Sequence, residues 1–231
     1  MCGRFALRSS IKELAEALEA ASVKIAEDRA RYNIAPTQAV VVARDTDDDE
    51  RELVHLKWGL VPAWAKDPAA VGARLINARS ETVTEKPSFR EAFRRRRCLI
   101  PTSGFYEWKR EGARKQPYFF RMKTDEPFAL AGLWERWEGA DADSGIIIET
   151  CTILTTTANE VLAPVHERMP VIINPEDYGL WLATKTTKTD VLTDLLRPFA
   201  AEKMTTHPVS PNVNNPGYDH ADLVAPLINS A

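Results

Sequence analysis

Cysteine is scarce in this chain: three residues, Cys2, Cys98 and Cys151, are spread over 231 positions. An odd number of widely spaced thiols argues against a disulfide framework, and the lack of a CxxC pair argues against a zinc site. Free thiols fit a reducing compartment. No apolar run approaches the ~20 residues of a membrane-spanning helix. The opening residues, Met1-Cys2-Gly3-Arg4-Phe5-Ala6, lack the apolar stretch of a signal peptide. A cytoplasmic protein with no membrane partner is therefore expected. No P-loop, GxGxxG or Ser-His-Asp order is present, and Thr102-Ser103-Gly104 is not a nucleophile elbow. No Gly/Ser/Pro-rich linker interrupts the chain, so one domain over residues 1–231 is expected.

What is present is an ordinary globular composition, 44% hydrophobic and 27% charged. The charge is unevenly placed. Residues 71–110 hold ten Lys/Arg and four Asp/Glu, a local net of +6, which leaves −9 for the rest of a chain whose total is −3. A basic stripe on an acidic body can bind phosphates, although a run such as Arg94–Arg97 can equally be a solvated helix end.

The coarse pattern is mixed. Ser10 and Glu13 have capping-box spacing and Ile11, Leu14 and Leu18 share a face, which predicts a helix over 10–21. Ser88 and Glu91 predict a second capping box and a short basic helix ending near Arg97. Residues 39–44 and 52–57 read as strands around a solvated acidic tip, with further strands at 98–100, 104–109, 117–122, 127–134, 146–156, 206–210 and 222–226. Residues 31–36 read as a loop, 58–64 as an irregular aromatic loop, 109–112 as a hairpin turn, and 175–182 and 188–196 as helices. Strands outnumber helices, so the expected class is α+β with a curved, largely antiparallel sheet and flanking helices.

Cys2 stands apart chemically. Removal of Met1 would leave a free α-amine beside its thiol. An aldehyde condenses with the amine, and the thiol then closes a five-membered thiazolidine; no internal cysteine can do this. The amine titrates at about 7.7–8.0 and the thiol at about 8.5, so both nucleophiles are partly available near neutrality. The alternative is an inert cysteine buried near a chain end, which is also the reading for Cys98 and Cys151. Glu107, in Gly104-Phe105-Tyr106-Glu107-Trp108, would be partly desolvated by aromatics and raised toward general-acid range, or would be an exposed strand residue. His166, in a Pro-bounded loop, could move protons near neutral pH or be structural. Asn77 could orient an amine or hydroxyl, or stabilise a turn. Arg4, Arg31, Arg79, Arg90 and Arg168 could contact phosphates. Trp58, Trp64 and Trp108 could stack on bases, core packing being the alternative for each.

Seven short motifs occur in order: Met1–Phe5, Arg31–Pro36, Trp58–Pro62, Ile76–Thr82, Gly104–Trp108, Thr157–Asn159 with His166–Pro170, and His207–Val209 with Val213–Asn215. Together they resemble the SOS response-associated peptidase (SRAP) family, the abasic-site processing proteins. The resemblance spans essentially the whole chain. It implies a cleft for single-stranded DNA and a thiazolidine crosslink between mature Cys2 and a ring-opened abasic sugar. It further implies that Asn77 positions Cys2 or the sugar, that Glu107 assists ring opening and proton transfer, and that His166 assists imine formation and reversal. Arg4, Arg79 and Arg168 would hold phosphates, while Pro36, Trp64 and Trp108 would line the cleft. No cofactor or metal is implied. A monomer is expected, with replication-fork proteins as candidate partners and a nucleoid or nuclear setting. The competing chemistry is a thiol peptidase with Cys2 as nucleophile and His166 as base, in its narrowest form acting only on Met1; a non-catalytic binding module is the third reading. Intact-mass analysis of the active protein is expected to show Cys2 as the first residue. Active protein that retains Met1 would exclude the crosslink chemistry.

Overall fold

Residues 39–58 show how local pattern becomes sheet. Val40 to Ala43 and Glu52 to Val54 are buried, and the two runs pair antiparallel from Ala39↔Lys57 to Asp45↔Arg51. The acidic tip closes with Thr46 N–H donating to the Glu50 carbonyl at 2.9 Å and Asp49 at φ 61°. A short polar side chain tolerates that left-handed turn position.

The computed structural model describes residues 2–26, 29–112, 114–139, 145–185 and 189–227. In chain order the first strands are β1 (Phe5–Leu7), β2 (Ser22–Val23), β3 (Arg31–Ile34), β4 (Ala39–Asp45), β5 (Arg51–Trp58), β6 (Asn77–Arg79) and β7 (Arg97–Thr102). Then come β8 (Gly104–Glu111), β9 (Arg114–Met122), β10 (Phe128–Glu138), β11 (Ile147–Thr157), β12 (Arg168–Pro170), β13 (Ile172–Ile173) and β14 (Met204–Pro208). The α-helices are short: α1 (Ile11–Ala17), α2 (Pro68–Gly72), α3 (Arg90–Arg95), α4 (Tyr178–Leu182) and α5 (Thr189–Thr193). Among the described residues no helix is long and apolar enough to cross a membrane.

The strands form two sheets. The smaller has the order β14-β9-β8-β1-β3. The larger runs β12-β11-β10-β7-β4-β5-β2, and a parallel pairing of β5 with β11 (Cys151↔Trp58) curls its middle strands into a closed ring. The expected class, α+β with largely antiparallel pairing, holds; the expected single curved sheet is two. Cys98 and Cys151 are buried in the main core, as anticipated.

The chain passes between the sheets through a tight corner, with Ser103 alone separating β7 from β8. There Thr102 Oγ1 donates to the Ala6 carbonyl at 2.9 Å and accepts from Gly104 N–H at 3.0 Å. At this corner β1 pairs with β8, placing Phe5 opposite Phe105 and Ala6 opposite Gly104.

Several expectations require correction. The α1 capping box forms, with Ser10 N–H donating to Glu13 at 2.8 Å, but the helix stops at Ala17. Ser88 does not cap α3. That helix begins after Phe89 with no side-chain cap, and burial of Phe89, Ala92 and Phe93 fixes it instead. Residues 31–34 are a strand, not a loop. The predicted turn at 109–112 is mostly strand, because β8 continues to Glu111. Residues 221–224 form a 3-10 turn rather than a strand, with Leu223 buried beside Tyr106 and Phe119. Residues 175–177 form a 3-10 turn leading into α4. The second C-terminal helix shortens to α5, and residue 188 of its expected span lies outside the described residues.

The corner leaves no room at Gly104. A Cβ there would lie 2.3 Å from the Phe119 ring and 2.6 Å from the Phe120 carbonyl oxygen. Gly104→Ala is expected to lower stability by about 1–3 kcal/mol or more through overpacking. Urea unfolding measures this, and an unchanged midpoint would contradict the packing described.

Candidate functional site

The antiparallel course of β1 and β8 continues past the sheet's edge, since Tyr106 N–H donates to the Arg4 carbonyl at 2.9 Å. The first residues are thereby carried alongside Glu107. Side chains alternate on β8 as the sequence suggested. Phe105 packs in the main core with Cys2, while Tyr106 and Trp108 belong to a second cluster with Phe119 and Val213. Glu107 takes the Phe105 side and is 3% exposed.

Asn77 reaches this point from the other sheet. It starts β6, which lies parallel to β11 with Asn77 opposite Ile153. Its Nδ2 donates to the Cys2 carbonyl at 2.9 Å, fixing the backbone of that residue. Among the described residues its buried Oδ1 has no hydrogen-bond partner. A buried amide oxygen in that state costs energy unless a donor arrives.

His166 comes from the loop between β11 and β12. The Arg168 backbone N–H donates to His166 Nδ1 at 2.9 Å. In the neutral ring the proton is therefore assigned to Nε2. The loop is anchored by Arg168, whose buried guanidinium forms two bonds with Glu81, at 2.5 and 3.0 Å, and one with the Thr155 carbonyl at 2.6 Å.

Glu107 and His166 open into one cleft of about 830 Å³, lined also by Trp108, Arg110, Lys115, Val165, Glu167 and Asn214. Burial raises the Glu107 carboxyl above its ordinary value, and the nearby His166 opposes that rise. Burial, and then the Glu107 carboxylate, push the Cys2 thiol well up; the Arg4 backbone N–H works against them. The thiol therefore holds its proton more tightly than a free cysteine does.

A model of the SOS response associated peptidase (SRAP) family matches residues 1–216. The chain belongs to this family. It is 40% identical over 226 residues to the abasic site processing protein YoqW of Bacillus subtilis, covering 97% of this chain and 99% of YoqW. It is 33% identical over 208 residues to the chicken abasic site processing protein HMCES, covering 80% of this chain and 61% of HMCES. In three dimensions it resembles a crystal structure of a protein from Bacteroides thetaiotaomicron. There the TM-score is 0.86 at 27% identity, over 98% of this chain and all of the other.

In this SRAP chain, Glu107, His166 and Trp108 share the cleft, while Cys2, fully buried, and Asn77 are joined to each other behind it and are not among the residues lining it. The other residues singled out from sequence are placed differently. Arg79 is exposed at the end of β6. Arg4 is held by the Asn33 side chain and the Val213 carbonyl, both at 2.7 Å. Arg168 is buried against Glu81. Pro36 and Trp64 are not among the residues lining the cleft; Trp64 is 59% exposed on a turn. Trp58 is a core residue, its Nε1 bound to the Ile76 carbonyl at 2.9 Å and its ring 5.3 Å from Phe5. Arg31 is engaged by Gln38 and by the Ala39 carbonyl.

Sequence reasoning overlooked Asn33. It is buried, and its Nδ2 donates to the Asn215 carbonyl at 2.9 Å and the Tyr218 carbonyl at 2.7 Å. It ties the Arg31–Pro36 motif to the Val213–Asn215 motif and so brings Asn214 to the cleft. Asn214 in turn accepts from Trp108 Nε1 at 2.8 Å. The pairing of the two motifs was the available signal.

The raised Glu107 carboxyl has a stability consequence. Below the ordinary carboxyl value of 4.5 both folded and unfolded states are protonated, and there is no penalty. As pH rises above that value the unfolded state ionises first, so folding is progressively disfavoured until the folded carboxyl ionises too. Glu107→Gln is therefore expected to gain stability over the parent from pH 4 to pH 7. Thermal melts across that range check it, and a constant difference would contradict it.

Proposed function

We propose that this protein processes abasic sites in DNA, with mature Cys2 capturing the lesion covalently in single-stranded DNA. The observation that carries the reading is the meeting of Cys2, Asn77 and Glu107 beside an open cleft that also holds His166. The relatives named above, which are abasic site processing proteins, support it.

Removal of Met1 frees the Cys2 amine. That amine attacks C1 of the ring-opened sugar to give a carbinolamine, which loses water to an imine. The Cys2 sulfur then adds to the imine carbon, its proton passing to Glu107 and onward to the ring nitrogen. One water leaves overall, and the product is a thiazolidine. Closing the ring removes the imine through which β-elimination would break the strand. Asn77 holds the Cys2 carbonyl, and its open Oδ1 is placed to accept from the new amine. Glu107, raised by burial, can donate to the sugar ring oxygen as the ring opens. His166 can transfer protons during carbinolamine dehydration and its reversal.

The anchored guanidiniums of Arg4 and Arg168 act in this reading chiefly as struts. Arg79 at the β6 edge is free to meet phosphate, and Trp108 offers a stacking surface. The whole chain works as one domain, as a monomer in the cytoplasm, and its lesion capture serves a DNA-damage response. A thiol-peptidase role is confined to release of Met1. That step uses the same Cys2, Glu107 and His166.

Mature protein mixed with single-stranded DNA carrying an abasic site is expected to give a shifted band that survives denaturing electrophoresis. Cys2→Ala should lose the heat-stable adduct yet retain an imine trappable by borohydride, because the variant still presents a terminal amine. Equal heat stability of the two adducts would rule out ring closure by sulfur.

A further inference from the structure

The cleft extends beyond the residues that do chemistry, along the β8–β9 hairpin. The strands stay in register to the end: Trp108↔Pro117, Lys109↔Gln116, Arg110↔Lys115 and Glu111↔Arg114. Residues directly opposite one another share a face, as do residues two apart on one strand. Trp108, Arg110 and Lys115 therefore stand on one face, and all three line the cleft that holds Glu107 and His166.

The charges on this hairpin are sorted. Lys109 pairs with Glu111 at 3.8 Å. Arg110 and Lys115 are exposed, and no ion pair engages either among the described residues. Two like charges directly opposite repel each other. An anion lying between or above them relieves that repulsion. An aromatic ring followed along a strand by uncompensated cations is the arrangement that tracks a nucleic-acid strand, with a base on the ring and backbone phosphates on the cations.

We propose that Arg110 and Lys115 form a phosphate clamp for single-stranded DNA, holding the backbone that leaves the lesion on the Trp108 side. This rests on the DNA-capture reading and extends its binding surface. The clamp acts on the backbone, so it is indifferent to base sequence. It lies on a rigid ladder rather than a loop: Gln116 Nε2, on the opposite face, is fixed to the Val209 carbonyl at 2.9 Å and anchors the hairpin to the body of the domain. The hairpin thus extends the basic track beyond the catalytic cluster by two residues of strand, about 7 Å.

The test is equilibrium binding of a single-stranded oligonucleotide carrying a tetrahydrofuran abasic analogue, which has no aldehyde and cannot crosslink. Affinity is measured across a salt series for the parent, for Arg110→Gln with Lys115→Gln, for Arg110→Lys, and for Lys123→Gln in the turn just beyond the far end of β9. The parent is expected to show a log-log salt slope set by the number of phosphates it neutralises. The double variant should flatten that slope by about 0.7 for each phosphate no longer neutralised, roughly 1.4 in all. It should also bind several-fold more weakly, on every sequence tried. Lys123→Gln should leave both quantities unchanged, and Arg110→Lys should largely keep the slope. A double variant with the parent's slope and affinity would overturn the clamp while leaving DNA capture standing. A parent protein that does not hold the oligonucleotide at low salt would remove both.

Discussion

The arrangement at this site depends on how firmly the segment leading into β1 is held. The backbone at Cys2 is held from one side by the Asn77 amide, and the Arg4 carbonyl is paired with Tyr106. Beyond them β1 runs between β8 and β3 in the interior of the smaller sheet. A strand in the middle of a sheet has neighbours on both edges, so it cannot peel away without breaking two ladders. This backbone places Cys2 in the buried core within the electrostatic reach of Glu107, where burial pushes its thiol above the ordinary range.

The two-sheet architecture explains why the partners arrive from so many places. Glu107 belongs to the smaller sheet, and Asn77 to a short strand on the margin of the larger one. His166 comes from a loop hung on that same margin by the Arg168–Glu81 pair. None of these residues is close to another in sequence. What brings them together is the Ser103 corner, which passes the chain from one sheet to the other with almost no slack, and the Asn33 amide, which gathers the C-terminal segment under the N-terminal strand.

Much of this was legible in the residues, for identifiable reasons. The Val-rich runs at 39–58 alternate and flank an acidic tip, so strand, turn and register follow from local pattern alone. The alternation in Gly104–Trp108 correctly separated Phe105 and Glu107 from Tyr106 and Trp108. The Ser10 capping box was readable too. Elements fixed by tertiary burial were not. Ser88 has the right spacing for a cap, but the apolar anchors Phe89 and Phe93 decide where α3 starts. Leu223 and Val224 look like strand but fill a gap as a single turn. The closed ring of the larger sheet depends on a parallel contact between residues near 58 and 151, which no local signal encodes. At the site, a cationic side chain announces charge but not its partner. Arg4 and Arg168 were candidates for phosphate, and the structure shows both occupied by protein groups. Arg110 is legible only as the last member of the 71–110 basic stripe, and its pairing with Lys115 is hidden because 109–112 reads as a turn while β8 continues to Glu111.

The reach of Asn33 to the Asn215 and Tyr218 carbonyls sets an order of events during synthesis. The two ends of that contact, Asn33 and Asn215, lie 182 positions apart. At about 5–20 residues per second, roughly 10–40 s separate the two on a translating ribosome. Throughout that interval β3 is already made while the cleft wall that it anchors is not. The cleft is complete only once the segment around Asn214 has emerged and docked.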